Sequence, residues 1–133
     1  MTIEQLFACQ MSEEELKQIS PLVLAFVGDS IHTFFVRSKI VENGGHKVGD
    51  YHQKSASFCK ASSQAKALDE ILDSLSEAEA DIVRRARNAK SHNIAKNSDI
   101  ATYKKATSFE ALLGYLYFTK NFERLKLILE KSI

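Results

Sequence analysis

One stretch of the chain decides the fold: Ser20-Pro21-Leu22-Val23-Leu24-Ala25-Phe26-Val27-Gly28-Asp29-Ser30. Serine followed by proline is typical of a helix start, because the serine side chain caps the helix and proline fits its first position. Apolar residues continue to Val36, and the helix is expected to end near Asn43-Gly44-Gly45, where glycine can adopt a left-handed conformation. A helix that is apolar on nearly every side is expected at the centre of the fold.

Helix-start signals recur along the rest of the chain, whereas strand signals do not. Four pairs fit the capping box, in which Ser or Thr acts together with Glu or Gln three residues later: Thr2 with Gln5, Ser12 with Glu15, Ser76 with Glu79, and Thr107 with Glu110. The pattern predicts further helices over residues 50–58, 62–75, 77–89, 99–105, 107–120 and 122–131. We therefore predict an all-α fold.

Length and composition predict one globular domain. The chain has 133 residues, of which 44% are hydrophobic and 26% are charged, and most domains contain about 100–200 residues. No linker or repeat divides it, so a single domain over residues 1–133 is expected. Cys9 and Cys59 form no CxxC pair and are expected to be small core residues. No apolar run reaches the roughly 18 residues of a membrane span, which predicts a cytoplasmic protein with no membrane partner.

Positive charge is concentrated in one segment. The whole chain has a formal net charge of +1, yet residues 84–105 contain seven basic side chains and one acidic side chain. The basic residues are Arg84, Arg85, Arg87, Lys90, Lys96, Lys104 and Lys105. They alternate with Ser, Asn and His side chains, a mixture that suits phosphate oxygens. The segment is either a solvated, charge-rich loop or a nucleic-acid contact.

Two carboxylates stand in the most apolar segments of the chain. Asp29 lies in the central helix, and Glu110 lies in the apolar segment 109–118. A buried carboxylate is normally protonated, paired or bound to a cation. Gly28 and Gly114 would let the two helices approach closely and bring the acids together. Two converging carboxylates form a hard-oxygen site of the kind that Mg²⁺ or Mn²⁺ occupies.

Each acid also has an ordinary structural explanation. Asp29 could cap a helix or pair with Arg37 or His32. Glu110 could merely close the capping box that begins at Thr107. The basic segment favours the metal site, because phosphate contacts and a divalent cation are together the ingredients of phosphodiester chemistry.

Several ordered motifs resemble a known family. Leu24-Ala25-Phe26-Val27-Gly28-Asp29-Ser30 resembles the signature of ribonuclease III catalytic domains, and Phe109-Glu110-Ala111-Leu112-Leu113-Gly114 resembles their second acidic motif. Arg85-Ala86-Arg87-Asn88-Ala89-Lys90-Ser91 and Lys96-Asn97 are similar to the Mini-ribonuclease III subfamily. The resemblance spans most of the chain, and it implies one ribonuclease III-type helical endonuclease domain without a double-stranded-RNA-binding domain.

The resemblance also implies an activity and its site. It implies an endoribonuclease that cleaves double-stranded RNA with Mg²⁺ or Mn²⁺, in which Asp29 and Glu110 are the catalytic residues and metal ligands. We further expect a homodimer and products with 5′-phosphate and 3′-hydroxyl ends. The resemblance also implies a role in maturing the large-subunit ribosomal RNA precursor, in which a ribosomal protein could assist. The residues expected to contact the RNA backbone are Arg85, Arg87, Lys90 and Lys96.

The chain departs from full-length ribonuclease III at three positions. Leu22, Ala25 and Thr107 stand where that enzyme has acids, so only two carboxylates remain. Mini-ribonuclease III is similarly reduced. With two protein carboxylates, Mg²⁺ binding is expected to be weak until RNA phosphate and water complete its octahedron. The alternative function is a catalytically silent RNA-binding or ribosome-assembly module, which would keep the basic segment but would not need Asp29 and Glu110.

Overall fold

The computed structural model describes residues 1–90 and 99–133, and within these ranges the chain forms eight α-helices and no β-strand. The helices are α1 (Ile3–Leu6), α2 (Glu13–Gln18), α3 (Pro21–Asn43), α4 (Val48–Cys59), α5 (Ala61–Ile71), α6 (Glu77–Asn88), α7 (Ile100–Phe118) and α8 (Phe122–Lys131), and a 3₁₀ turn, Leu72–Ser74, follows α5. The all-α prediction is confirmed. None of the helices in the described ranges has both the length and the hydropathy needed to cross a membrane.

The predicted boundaries of α3 are confirmed. The Ser20 hydroxyl accepts a hydrogen bond from the Leu22 N–H at 3.1 Å, and Pro21 is the first helical residue. The helix ends at Asn43, and Gly44 follows with a φ of 66°, which is the left-handed conformation that glycine favours. Three of the predicted capping boxes are also present, and they begin at Thr2, Ser12 and Ser76.

The predicted capping box at Thr107 is absent. The sequence predicts two helices, over residues 99–105 and 107–120, whereas α7 runs without a break from Ile100 to Phe118. Asp99 caps this helix instead, because its carboxylate accepts from the Thr102 N–H at 2.8 Å. Ala106 and Ser108 are buried on either side of Thr107, so a helix end there would leave buried backbone groups without partners. The capping explanation for Glu110 is therefore wrong.

The core forms around α7, which packs against α3, α5, α6 and α8. Its middle is apolar on several sides, and each of those sides meets another helix. The most deeply buried apolar residues of α7 are Phe109, Ala111, Leu112, Leu113 and Leu116. The central position belongs to this helix, which holds the second acidic motif.

Only one side of α3 is buried, so the expectation that it is enclosed on nearly every side is wrong. The buried residues are Pro21, Leu24, Ala25, Gly28, His32, Val36 and Ile40. A second row of apolar residues follows the opposite side at helical spacing: Val23, Phe26, Phe34 and Val41 are 49%, 77%, 71% and 57% exposed. We call this row the exposed α3 stripe. Contiguous apolar surface of this kind marks an interaction face.

Candidate active site

Gly28 and Gly114 bring α3 and α7 into backbone contact. A Cβ atom placed on Gly28 would lie 1.8 Å from the Glu110 carbonyl oxygen. A Cβ atom placed on Gly114 would lie 2.1 Å from the Leu24 carbonyl oxygen. The two contacts are reciprocal, because in each helix the glycine lies one turn from the residue whose carbonyl group is touched. The predicted close approach of the two helices is confirmed, and any side chain at either glycine would separate them.

This crossing brings the carboxyl groups of Asp29 and Glu110 together. Asp29 is exposed and Glu110 is half-buried, and the two carboxyl groups are within hydrogen-bonding contact. Burial, followed by the hydrogen bond to Asp29 and the negative charge of that residue, raises the pKa of Glu110 to about 9. At neutral pH and without a cation, Glu110 is therefore protonated and donates its proton to Asp29. We call these two residues the acid pair.

The alternative explanations for Asp29 do not fit the structure. Asp29 lies in the middle of α3 and caps no helix. In the described part of the chain no ion pair includes it; Arg37 lines the same surface groove without pairing with it. Both ring nitrogens of His32 bond elsewhere, to Gln64 and Ser132. The contact with Glu110 is thus the one that explains the position of Asp29.

Two buried polar residues lie behind the acid pair: sequence reasoning missed Gln64 and considered His32 only as a partner of Asp29. Gln64 on α5 is 3% exposed and His32 on α3 is fully buried. Gln64 hydrogen-bonds to Glu110, which acts against the rise in the pKa of that carboxyl group. Burial lowers the pKa of His32 to about 4, and the nearby charge of Asp29 opposes this shift. A signal for Gln64 was present, because it stands on the same helix face as the apolar residues Leu68 and Ile71.

The two cysteines are not core residues, contrary to the prediction. Cys9 is exposed, and Cys59 is half-buried at the end of α4. Burial raises the pKa of the Cys59 thiol, a hydrogen bond with Thr33 opposes this, and the charge of Asp29 adds to it. Cys59 is therefore close enough to the acid pair for the charge of Asp29 to act on its thiol.

The donor atoms of the acid pair fit a hard divalent cation. Two carboxyl groups in contact offer oxygen ligands, and a cation between them would relieve the cost of ionising Glu110. Within residues 1–90 and 99–133, no group of three or more His, Cys, Asp and Glu side chains is arranged to hold a metal ion. An ion at the acid pair would thus keep several positions for water and phosphate, which is the usual coordination of Mg²⁺.

The residues predicted to contact RNA lie at the end of α6 and just beyond it. Arg87 and Lys90 are exposed, and Arg85 is half-buried. Lys96 lies outside the described residues. Arg85 lines a surface cavity that also contains the acidic side chain of Glu13. The exposed cations of this group are accordingly the ones open to a phosphate backbone.

Two other cations of the basic segment are held by acidic neighbours. Arg84 pairs with Asp81 one turn earlier on α6. The ammonium group of Lys105 lies 3.0 Å from the carboxylate of Asp69 on α5. Neither Arg87 nor Lys90 makes an ion pair with a residue that the structure describes.

Known proteins resemble this chain in sequence and in fold. The Ribonuclease III domain family matches residues 22–121. A Mini-ribonuclease 3 from Thermoanaerobacter sp. (strain X514) is 46% identical over 92% of this chain and 87% of that protein. A Mini-ribonuclease 3 from Staphylococcus aureus is 40% identical over 91% of this chain and 92% of that protein. The crystal structure of a protein from Fusobacterium nucleatum has a TM-score of 0.79 and 28% identity, covering 86% of this chain and 92% of that one.

The matched region contains both helices of the acid pair and the basic end of α6. The family match covers most of the chain, and the relatives are similar over nearly their whole length. These similarities favour an enzyme over a silent RNA-binding module. The chain belongs to the ribonuclease III domain family, alongside the Mini-ribonuclease 3 proteins, and is an endoribonuclease.

Proposed function

We propose that this endoribonuclease hydrolyses double-stranded RNA with a divalent metal ion, Mg²⁺ or Mn²⁺, held by Asp29 and Glu110. The observation that carries the proposal is the contact between these two carboxyl groups at the crossing of α3 and α7. The family generally depends on divalent metal ions and acts on double-stranded RNA, which supports both parts of the proposal.

The side chains of the acid pair have distinct tasks in this mechanism. When bound, the ion supplies an acidic water molecule and neutralises charge on the scissile phosphate. Glu110 releases the proton that it shares with Asp29, so that both residues present ionised oxygens. Asp29 is exposed to solvent, whereas Glu110 lies deeper. Gly28 and Gly114 fix the separation of the two acids through backbone contact.

The bond changes follow from hydrolysis at phosphorus. The oxygen of a water molecule bonds to the phosphorus, the bond between phosphorus and the 3′-oxygen breaks, and the 3′-oxygen takes up a proton. The products would then carry 5′-phosphate and 3′-hydroxyl ends. This polarity is the one implied by the likeness to ribonuclease III.

RNA binding is assigned to the basic end of α6. Exposed Arg87 and Lys90 would contact phosphates, together with Arg85 and Lys96. A-form duplexes are recognised mainly through their shape, phosphates and 2′-hydroxyl groups. Basic residues cluster in the last turns of α6, and further basic residues follow in the next segment of the sequence. A cluster of this kind suits contacts with the phosphates of an RNA duplex.

The exposed α3 stripe supports a homodimer. Phe26 and Phe34 are 77% and 71% exposed, which is costly for large aromatic side chains on the surface of a monomer. A second copy packed on the same stripe around a two-fold axis would bury both sets. Asp29 and Phe34 line one surface groove, so the dimer interface would lie next to the acid pair. Each subunit would then bring one site to a shared valley, and each site would cut one strand.

Our proposal for the natural substrate rests on the similarity to the Mini-ribonuclease 3 relatives. We assign the chain to the maturation of the large-subunit ribosomal RNA precursor, in which a ribosomal protein could present the cleavage site. Cleavage of that precursor at one position, compared with a random duplex of equal length, would support this assignment.

The central experiment incubates purified protein with duplex RNA, with Mg²⁺ and with a chelator, beside Asp29→Asn and Glu110→Gln. We expect cleavage only with the ion and only by the unchanged protein. Cleavage by either variant, or in the chelator, would refute the assignment of the acid pair. RNA binding without cleavage under every condition would favour the silent RNA-binding module.

The dimer is tested separately by light scattering during gel filtration. Phe26→Glu with Phe34→Glu places charge on the exposed α3 stripe and is expected to convert a dimer to a monomer. Leu127→Glu is the matched control, because Leu127 is 45% exposed on α8, outside the stripe. A protein that is already monomeric before substitution would contradict the proposed dimer.

A further inference from the structure

Gln64 is a buried polar residue with a defined set of partners. Its side chain is 3% exposed on α5, next to the buried residues Ala65 and Leu68. Its Nε2 atom lies 3.0 Å from Nδ1 of His32. The carboxyl group of Glu110 accepts a hydrogen bond from the same side chain. Buried amides need their hydrogen bonds, because water cannot replace them there. Gln64 is therefore held between α3 and α7 by these two contacts.

The orientation of the His32 ring follows from Ser132. The hydroxyl of Ser132 has one proton, and it donates that proton to the Leu129 carbonyl oxygen at 2.6 Å. Nε2 of His32, which lies 3.1 Å from the same hydroxyl oxygen, must then carry a hydrogen and donate it. In a neutral imidazole the other nitrogen, Nδ1, is an acceptor. We assign this tautomer because it satisfies every donor in the series.

The tautomer of His32 in turn decides which way round the Gln64 amide lies. Nδ1 accepts, so the group of Gln64 that faces it is the NH₂ group. The second hydrogen of this NH₂ group is then left to donate to Glu110. A flipped amide would place its oxygen against a carboxyl oxygen of Glu110, whose proton is already donated to Asp29, so that two acceptors would face each other. The hydrogen bonds thus diverge from the Gln64 NH₂ group. One is donated to Glu110, and the other leads through His32 to Ser132 and the Leu129 carbonyl oxygen at the C-terminal end of α8.

We propose that Gln64 is a positioning residue of this nuclease: its NH₂ group holds the ionised Glu110 carboxylate in the metal-binding orientation, and His32 with Ser132 keeps the amide the right way round. Gln64 touches neither RNA nor the reacting atoms, and it acts through Glu110. This inference rests on the proposed function of the acid pair. Partners behind the ligands of a metal ion commonly change its affinity or the activity by about 10–100-fold when they are removed.

The test uses Gln64→Met, which keeps the length of the side chain and removes its donor. We measure the rise of the melting temperature with Mn²⁺ in the absence of RNA, and the Mn²⁺ concentration that gives half of this rise. We expect that midpoint to increase by about tenfold or more, and kcat to fall by about 10–100-fold. The KM for duplex RNA is expected to stay unchanged, because Gln64 is buried away from solvent. Gln53→Met is the matched control, since Gln53 is exposed on α4.

Ser132→Ala tests the orientation of the amide without changing Gln64 or His32. It removes the acceptor of His32 Nε2, so the ring can change its tautomer and the amide can flip. We expect a shift of the Mn²⁺ midpoint in the same direction as in Gln64→Met, but smaller. This variant decides the question alone if Gln64→Met does not fold, and a midpoint equal to that of the unchanged protein would then overturn the proposal.

The remaining outcomes separate this inference from the proposed function. Glu110→Gln is measured in parallel and is expected to abolish the rise of the melting temperature with Mn²⁺. If Glu110→Gln keeps the full rise, the metal site itself is wrong. If Glu110→Gln loses the rise while Gln64→Met keeps the midpoint of the unchanged protein, the metal site stands and the role of Gln64 is refuted. An increase in KM with an unchanged midpoint would likewise assign Gln64 a merely structural role.

Discussion

The backbones of Gly28 and Glu110 touch, since a Cβ atom on Gly28 would meet the Glu110 carbonyl oxygen at 1.8 Å. Asp29 follows Gly28 directly, so this contact also sets the distance between the two carboxyl groups of the acid pair. The packing of the two helices and the position of the acid pair therefore both depend on the contact between Gly28 and Glu110. A change of one methyl group at Gly28 therefore affects both, and the effects can be measured separately.

Gly28→Ala is expected to lower the free energy of unfolding by about 3 kcal/mol, because the helices must move apart to admit the methyl group. It is also expected to abolish cleavage at a temperature where the variant remains folded, because the acids move apart with the helices. Chemical denaturation and a cleavage assay measure the two effects.

Gly49→Ala is the control for this substitution. Gly49 is a helical glycine of α4, and a Cβ atom placed on it would meet no atom of residues 1–90 or 99–133 within 4 Å beyond its own helix and chain neighbours. An alanine there is expected to stabilise the protein by about 0.5 kcal/mol and to leave cleavage unchanged. Equal stability of the two variants would contradict the close contact at Gly28.

Glu110→Gln is expected to raise the stability of the metal-free protein at pH 8. The pKa of Glu110 lies near 9 in the folded protein and near 4.5 in the unfolded chain. Between these values the unfolded chain has already lost its proton, so the unchanged protein loses stability as the pH rises. A glutamine removes this loss, which builds up between pH 4.5 and pH 8 at about 1.4 kcal/mol per pH unit and is on the order of 5 kcal/mol at pH 8.

Denaturant unfolding in a chelator, at pH 4 and at pH 8, measures this difference. The stabilisation by Glu110→Gln is expected at pH 8 and is expected to vanish near pH 4, where the carboxyl group is protonated in both states. A glutamine variant that is less stable than the unchanged protein at pH 8 would be the opposite of the expected result.

His32 is expected to weaken the fold in acid. Burial lowers its pKa to about 4 from an ordinary value of 6.5. As the pH falls below 6.5, His32 becomes protonated in the unfolded chain, whereas in the folded protein it stays neutral until about pH 4. Stability is therefore lost across this window, by about 3 kcal/mol at its acid end.

His32→Gln is expected to remove this part of the pH dependence, whatever its effect on stability at pH 7. Denaturant unfolding at pH 7, 6, 5 and 4 gives the slope for each protein. His52→Gln is the control, because His52 is exposed on α4, and it should keep the slope of the unchanged protein. If the free energy of unfolding depends on pH with the same slope in His32→Gln as in the unchanged protein, His32 is not a neutral, buried imidazole.

Arg87→Ala with Lys90→Ala is expected to weaken the binding of duplex RNA and to flatten its dependence on salt. Each phosphate contact that is lost reduces the slope of log K against log salt concentration by about one. Fluorescence anisotropy measures the affinity, with Asp29→Asn present in every protein to prevent cleavage. Lys126→Ala is the control, because Lys126 is exposed on α8 and pairs with Glu130. If Lys126→Ala reduces the slope by as much per lost cation as Arg87→Ala with Lys90→Ala does, the RNA surface lies elsewhere.

The sequence predicted the acid pair because its signals are local. Asp29 and Glu110 are charged residues in apolar helices, and Gly28 and Gly114 are the small residues that a close crossing requires. The prediction of two helices in place of α7 failed for a different reason. Thr107 and Glu110 match a capping box at the level of spacing, but burial of the neighbouring residues keeps the helix continuous.

The layer behind the acid pair was not predictable in the same way. Gln64, His32 and Ser132 are far apart in the chain, and only the packing of α3, α5 and α8 around α7 places them in series. The exposure of Phe26 was missed because composition does not distinguish a helix side that faces the core from one that faces a partner. The spacing of apolar residues in the sequence identifies an apolar row on a helix, but only the fold shows whether that row faces the core or solvent.

The crossing at Gly28 and Gly114 ties the site to the core. The two helices that carry the acids pack against each other through the core, so heating that parts them in the unchanged protein would also open the core. Assembly of the site and completion of folding are then a single cooperative event, and the enzyme would lose its activity on heating only as fast as it melts.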